Sequence, residues 1–157
     1  MIYLIYIGGD ILSIYLTHVS RLPTFDVDFK YAIMRSYKYP AIGVSQLTEL
    51  SPSSKLYSDY LSWKSAGLWS YDYFITKYAP RFLLQISHDT IAKDRLNKLY
   101  KWSKEGANIA LGCACTSESM CHRSIIGGLL SGVGAEVITE TGQSYVEFYE
   151  MYERIKL

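Results

Sequence analysis

Asn108-Ile-Ala-Leu-Gly-Cys-Ala-Cys-Thr-Ser-Glu-Ser-Met-Cys-His-Arg-Ser-Ile-Ile-Gly-Gly-Leu-Leu130 is the stretch that decides the fold. Asn108 to Gly112 is a short apolar run of the kind that forms a buried strand, and Cys121 to about Leu130 reads as a helix. A glycine-rich turn then leads to a second strand, Ala135 to Thr139. A terminal helix follows, with Ser144 and Glu147 spaced as a capping box and Val146, Tyr149 and Tyr152 on its apolar stripe. Strand, helix, strand, helix is a βαβ pattern. Its crossover is right-handed and implies a parallel pair in the sheet.

Upstream, the punctuation predicts three more helices. Ser51 is placed as N-cap, with Pro52 at the first helical position of a helix to about Ser65 that carries Leu56, Tyr60 and Trp63 and ends at Gly67. Ser70 caps the next, striped by Tyr71, Phe74 and Tyr78; Pro80 is expected to kink or end it, although Phe82-Leu-Leu-Gln-Ile can continue its direction. The third runs from about Thr90 to Lys104, with Ile91, Leu96, Leu99 and Trp102 inward and Gly106 closing it. Toward the N-terminus, Ile2 to Ile7 before Gly8-Gly9, and Tyr15 to Val19 before Ser20-Arg21-Leu22-Pro23, read as strands. Residues 24 to 49 have a mixed pattern, with a helical turn the only element it offers, around Asp26 to Met34.

A chain of 157 residues suits one domain spanning residues 1–157, large enough to bury a core without staples. Sixteen Lys and Arg against fifteen Asp and Glu leave a net charge of +1, which makes no case for long nucleic acid or an anionic membrane as partner. The opening residues carry no basic leader, and Asp10 interrupts their apolar run long before the roughly twenty residues of a membrane span. The expectation is a cytoplasmic protein. All three cysteines lie between residues 113 and 121, unlike a secreted disulfide framework, and a reducing compartment favours free thiols or a metal site. The fifteen tyrosines read first as core and half-buried surface.

The strand-to-helix loop supports three chemistries. The leading amides of a helix lack internal partners and its dipole is positive there, so an anion is favoured at the Cys121 end. Arg123 adds a planar fork for phosphate or carboxylate, and Thr116, Ser117, Ser119 and Ser124 supply hydroxyls. The same field lowers a thiol pKa, making Cys121 a candidate nucleophile and His122 a candidate general acid or base. Cys113, at the strand end, is either a pocket residue or a small buried hydrophobe. Zinc is the third option: three cysteines and one histidine match a structural ligand set in type, but usual sites space ligand pairs by two to four residues. Here Cys113 and Cys115 are separated by one residue, and Cys121 and His122 are adjacent. The leading expectation therefore has no cofactor, with zinc the lesser alternative. His88 is expected exposed, and His18 hydrogen-bonded within the core.

Ile109-Ala-Leu-Gly-Cys-Ala-Cys-Thr-Ser-Glu-Ser-Met-Cys-His-Arg-Ser124 resembles the signature of the domain-of-unknown-function 488 family. In that pattern an apolar strand ends in a cysteine, and Cys-His-Arg-Ser opens a helix eight residues later. Ser20-Arg21-Leu22-Pro23 resembles the family's Ser-Arg-x-Pro segment, and Leu50-Ser-Pro-Ser with Tyr71, Phe74 and Tyr78 resembles its middle helical region. Cys115 is extra to the pattern, and Gly112 stands where leucine is usual. The resemblance implies a three-layer α/β domain, Rossmann-like, with a mainly parallel sheet flanked by helices. It also implies that Arg21, Cys113, Cys121, His122 and Arg123 gather at one end of that sheet. It supplies no reaction, only a link to nucleotide or nucleic-acid metabolism and to conflict between microbes and their viruses.

Together these readings lead to one expectation: a small anionic ligand, a nucleotide or nucleotide derivative, bound at the loop. Arg21 and Arg123 take the anion, Cys113, Thr116, Ser119 and Ser124 line the site, and a tyrosine stacks on the base. The alternatives are a thiol- or histidine-dependent enzyme using Cys121 and His122, and a structural zinc or interaction domain.

Overall fold

A computed structural model describes residues 13–38 and 40–156. Five strands form one all-parallel sheet in the order β3-β2-β4-β1-β5: β1 Ser13–His18, β2 Phe29–Ala32, β3 Val44–Gln46, β4 Ile109–Cys113 and β5 Glu136–Ile138. With six helices among the described residues, this is an α/β fold of Rossmann-like organisation. β4 and β5, the strands of the βαβ unit, are parallel, with β1 inserted between them. The strand expected over Ile2 to Ile7 and its Gly8-Gly9 turn lie outside the described residues.

β4 has strand neighbours on both sides and is buried along its whole length, as its unbroken apolar run requires. Ile14 pairs with Ile109 and Leu16 with Leu111, so these four side chains share one face and join the large core built with the helices. Ala32 and Ala110 face the other way and pack with Leu22 from a 3₁₀ turn, Val19–Thr24. The chain steps from β1 to β2 in one direction across the sheet and from β4 to β5 in the other. Right-handed crossovers then send the connections out of β1 and β4 to opposite faces. Gly112 makes the thin face possible: a Cβ there would lie 2.6 Å from the Leu22 side chain. The exits of β1 and β4 therefore diverge at the carboxyl end of the sheet, the kind of point where open α/β sheets bind ligands.

The helices are α1 Ser54–Ser65, α2 Tyr71–Tyr73, α3 Ala79–His88, α4 Thr90–Lys104, α5 His122–Gly132 and α6 Glu147–Ile155. Several boundaries differ from expectation for local reasons. Ser53, not Ser51, caps α1 by accepting from the Leu56 amide, while the Ser51 hydroxyl donates to the Thr48 carbonyl. Ser70 caps α2 as expected, and a π-helical segment, Phe74–Tyr78, joins it to α3. That wide turn sits just ahead of Pro80, whose missing N–H it accommodates, so the helical direction carries through. Ile91 and Tyr71, expected inward, are more than half exposed. The capping box of α6 does not form: the Ser144 hydroxyl accepts from the Val146 amide, one residue before the helix, and buried Phe148 anchors it. Residues 24 to 49, without a clear pattern, contain β2 and β3. Asn108 ties the strand starts together, accepting from Ser13 through its side chain and from Asp28 through its carbonyl. No described helix is long and apolar enough to cross a membrane.

Candidate functional site

β4 ends at Cys113 and α5 begins at His122, and between them a short 3₁₀ turn, Glu118–Met120, folds Cys121 back beside the strand end. The donor atoms of Cys113, Cys115, Cys121 and His122 all lie within 4.8 Å of one another. Cys113 Sγ is 3.8 Å from Cys115 Sγ and 3.8 Å from His122 Nδ1, and Cys121 Sγ is 3.9 Å from the same nitrogen. His122 Nε2 faces the Ile33 carbonyl, which can only accept, so Nε2 carries a proton and Nδ1 is turned to the sulfurs. All three cysteines are free thiols.

Arg123 is buried beside them, 1 % exposed. Its Nη1 donates to the carbonyls of Cys113 and Cys115 at 3.3 and 2.9 Å and lies 3.8 Å from Cys121 Sγ. It forms no ion pair with a carboxylate among the described residues. The far side of the loop is fastened by Glu118, also buried, whose carboxylate accepts from the Glu140 and Thr141 amides and the Thr141 and Tyr145 hydroxyls.

The four groups have unequal electrostatics. Hydrogen bonds from Cys115 and Cys121 hold the Cys113 thiol well below the usual range, against the opposing effect of burial. Burial pushes Cys121 up. Burial alone would lower His122, but the Cys113 charge and its hydrogen bond outweigh it, raising the imidazole to about 10. The thiol whose charged form is favoured is therefore Cys113 at the strand end, not Cys121, the expected nucleophile, which is fully enclosed. In this state the loop can present a thiolate beside an imidazolium, and the same four donors can surround a metal ion.

A cavity of about 310 Å³ opens onto the cluster, and Cys113, Cys115 and His122 line one side of it. Its lining also includes a wall of rings, Tyr57 and Tyr60 from α1 and Trp69 and Tyr78 from the segments that follow. Tyr60 and Trp69 meet edge to face at 4.7 Å, and Trp69 packs on Tyr78 in the same manner at 5.7 Å. Arg35, just after β2, reaches the cavity with Nε and Nη2 donating to the Pro52 carbonyl. No other hydrogen bond of the Arg35 guanidinium occurs among the described residues, which leaves Nη1 available at the rim.

The expected anion residues are placed elsewhere. Arg21 is exposed and paired with Glu140 at 3.3 Å, away from the cavity. Arg123 is buried, with Nη1 donating to the two loop carbonyls and Nε without a hydrogen-bond partner among the described residues. Ser124 is buried with its hydroxyl on the Cys121 carbonyl, Ser119 faces Ser117, and Thr116 is exposed. None of these five lines the cavity. Arg35, Tyr57 and Trp69, which do, carry no mark in the sequence: Arg35 lies in the unpatterned stretch, Tyr57 lies off the apolar stripe of its helix, and Trp69 lies in a turn. His88 is exposed as expected, and His18 is hydrogen-bonded to Ser20 and the Ala114 carbonyl.

The model of the DUF488-N3a subclade, described as "Active DUF488-N3 subclade", matches residues 34–134. The chain belongs to the DUF488 family. The matched stretch begins at Met34 on the cavity rim and contains the aromatic wall and the cysteine loop, so the whole lining of the cavity falls inside the DUF488 match. Arg21 and α6 fall outside it. No curated protein and no solved structure matches the chain.

Proposed function

We propose that this DUF488 protein binds a nucleotide or nucleotide derivative in the cavity between the cysteine loop and the aromatic wall. The observation that carries the reading is the pairing of that wall with the Arg35 guanidinium on one cavity of ligand size. Planar bases stack on exposed ring faces in a sequence-tolerant way, and a guanidinium fork suits phosphate. Pockets of a few hundred Å³ lined by aromatic groups with a few polar ones are the usual form of small-molecule sites. Arg35 takes the anion, in place of the expected Arg21 and Arg123. Nucleotide metabolism or conflict between microbes and viruses is the setting the family resemblance implies, and free or metal-bound thiols fit a reducing cytoplasm.

Calorimetry with a panel of nucleotides and nucleotide sugars tests the reading. At least one member is expected to bind more tightly than millimolar, and Arg35→Ala to weaken it about tenfold, the loss of one charge-assisted contact. Binding weaker than millimolar across the panel, or an Arg35→Ala protein that binds as well as the parent, removes the support.

A further inference from the structure

We infer that Cys113, Cys115, Cys121 and His122 hold a zinc ion at the base of the cavity. Zn–S bonds of about 2.3 Å and Zn–N bonds of about 2.0–2.1 Å, arranged tetrahedrally, put sulfurs about 3.8 Å apart and sulfur about 3.6 Å from nitrogen. The three closest approaches in the cluster are 3.8, 3.8 and 3.9 Å. All four donor atoms stay within 4.8 Å of one another, so the ligand set is gathered at nearly its final size.

Two further observations point the same way. Ligating histidines characteristically donate their second ring N–H to a carbonyl or carboxylate, which fixes the ring and leaves the other nitrogen for the metal. His122 does this through Nε2 and the Ile33 carbonyl, with Nδ1 facing the sulfurs. The second observation is charge. Three thiolates and one dication leave a single negative charge, and Arg123, buried beside Cys121 Sγ and without a carboxylate partner among the described residues, supplies the matching positive one. A guanidinium in such a place is costly unless something anionic faces it. The metal-bound cluster supplies that anion at the sulfur side of the guanidinium, with the Glu140 carboxylate, which Arg123 helps hold below its usual range, as the more distant one.

The site is closed. All four positions come from the protein, so the ion acts as a staple between the end of β4 and the start of α5 and sets the floor under the bound ligand. Three protons leave for solvent as the ion binds: those of Cys115 and Cys121, and the one that Cys113 and His122 share. Cys115 is the half-buried ligand, and its removal opens a coordination position toward the cavity.

Untagged protein prepared without chelator is expected to contain one zinc per chain by elemental analysis. Cobalt(II) added to chelator-stripped protein is expected to give the intense visible absorption of a tetrahedral thiolate site. A stripped chain that unfolds and is restored by zinc supports the same site. Cys115→Ser, at the least buried ligand, is expected to keep the circular dichroism of the parent and lower metal affinity on the order of tenfold or more. Ser117→Ala, on the same loop, is expected to change neither. Substoichiometric zinc together with no cobalt band from a folded protein overturns the inference, as does a Cys115→Ser protein that binds metal like the parent. Alkylation of Cys113 in the folded protein as isolated overturns it as well and identifies the cluster as a free thiolate. Nucleotide binding is measured separately, so either proposal can fail while the other stands.

Discussion

The two sides of the cavity are built on opposite principles. The cysteine loop is held by buried polar contacts: Arg123 on two carbonyls, His122 on a third, and Glu118 on two amides and two hydroxyls. The aromatic wall is held by ring packing, with Trp63, Trp69 and Tyr60 leaning on one another and Tyr57 half exposed. A buried hydrogen-bond network admits one arrangement, because leaving a member unpaired costs a full desolvation penalty. Ring packing tolerates shifts at small cost. On the proposed reading the difference divides the work: the loop fixes its donor atoms, and the wall accommodates what is placed against them.

The comparison is broken most directly at Arg123. Arg123→Met keeps much of the side-chain volume but leaves the Cys113 and Cys115 carbonyls without their donor and the sulfurs without a neighbouring charge. A loss of about 3 kcal/mol is expected, a large share of ordinary domain stability. At roughly 2–4 °C per kcal/mol for a chain of this size, the thermal midpoint falls on the order of ten degrees. Scanning calorimetry against Arg35→Met supplies the contrast, because Arg35 is exposed and its loss is expected to move the midpoint by less than about two degrees. Equal shifts for the two variants would remove the distinction between the loop's buried network and the exposed rim of the cavity.

The loop's polar anchoring also explains how far the site was legible in the sequence. The strand before the cysteines and the helix after them were readable from local pattern, as were most helices, since caps such as Ser70 and Asp89 act within a few residues. β2 and β3 are not, because strands of four and three residues rest on pairing instead of on their own periodicity: β3 on β2, and β2 on β4 far along the chain, where Phe29 meets Ile109. The same stretch supplies Ile33 and Arg35, so the carbonyl that orients His122 and the guanidinium on the rim were hidden together. The spacing of the cysteines argued against a metal because it measured separation along the chain. The 3₁₀ turn at Glu118–Met120 returns Cys121 to Cys113, so eight residues of sequence collapse to one cluster. Arg123 was read as an anion receptor at a helix start. What the sequence cannot show is that the loop's own carbonyls already take its Nη1, with Nε buried and unpartnered beside it.

A second, smaller break lies at Glu118. Its carboxylate accepts four hydrogen bonds, and Glu118→Gln offers an amide N–H₂ to donors that need an acceptor. Replacing charge-assisted bonds with partly mismatched neutral ones is expected to cost about 2 kcal/mol by urea denaturation. The network also holds Tyr145 where its carbonyl lies 2.1 Å from the position a Cβ at Gly128 would take, so α5 and α6 are locked at the same point. The urea slope should be unchanged, since no large surface is newly exposed in the folded state. A cost below about 0.5 kcal/mol would place Glu118 with the ordinary surface carboxylates, contrary to its burial.

Tyr57 is where the comparison is sharpest, because there stability and binding are expected to separate. The ring is 50 % exposed and touches Tyr60 at a centroid distance of 6.0 Å, so Tyr57→Ala removes little buried area and is expected to change stability by less than about 1 kcal/mol. Its face is nonetheless on the cavity. Stacking of one base on one ring is worth about 1–3 kcal/mol, so affinity for the tightest nucleotide of the panel is expected to fall between roughly fivefold and a hundredfold. Zinc content, fixed by residues on the other side, is expected to stay at the parent level. If the affinity holds while stability drops, the wall is core and not a ligand surface, and the two sides of the cavity differ only in chemistry.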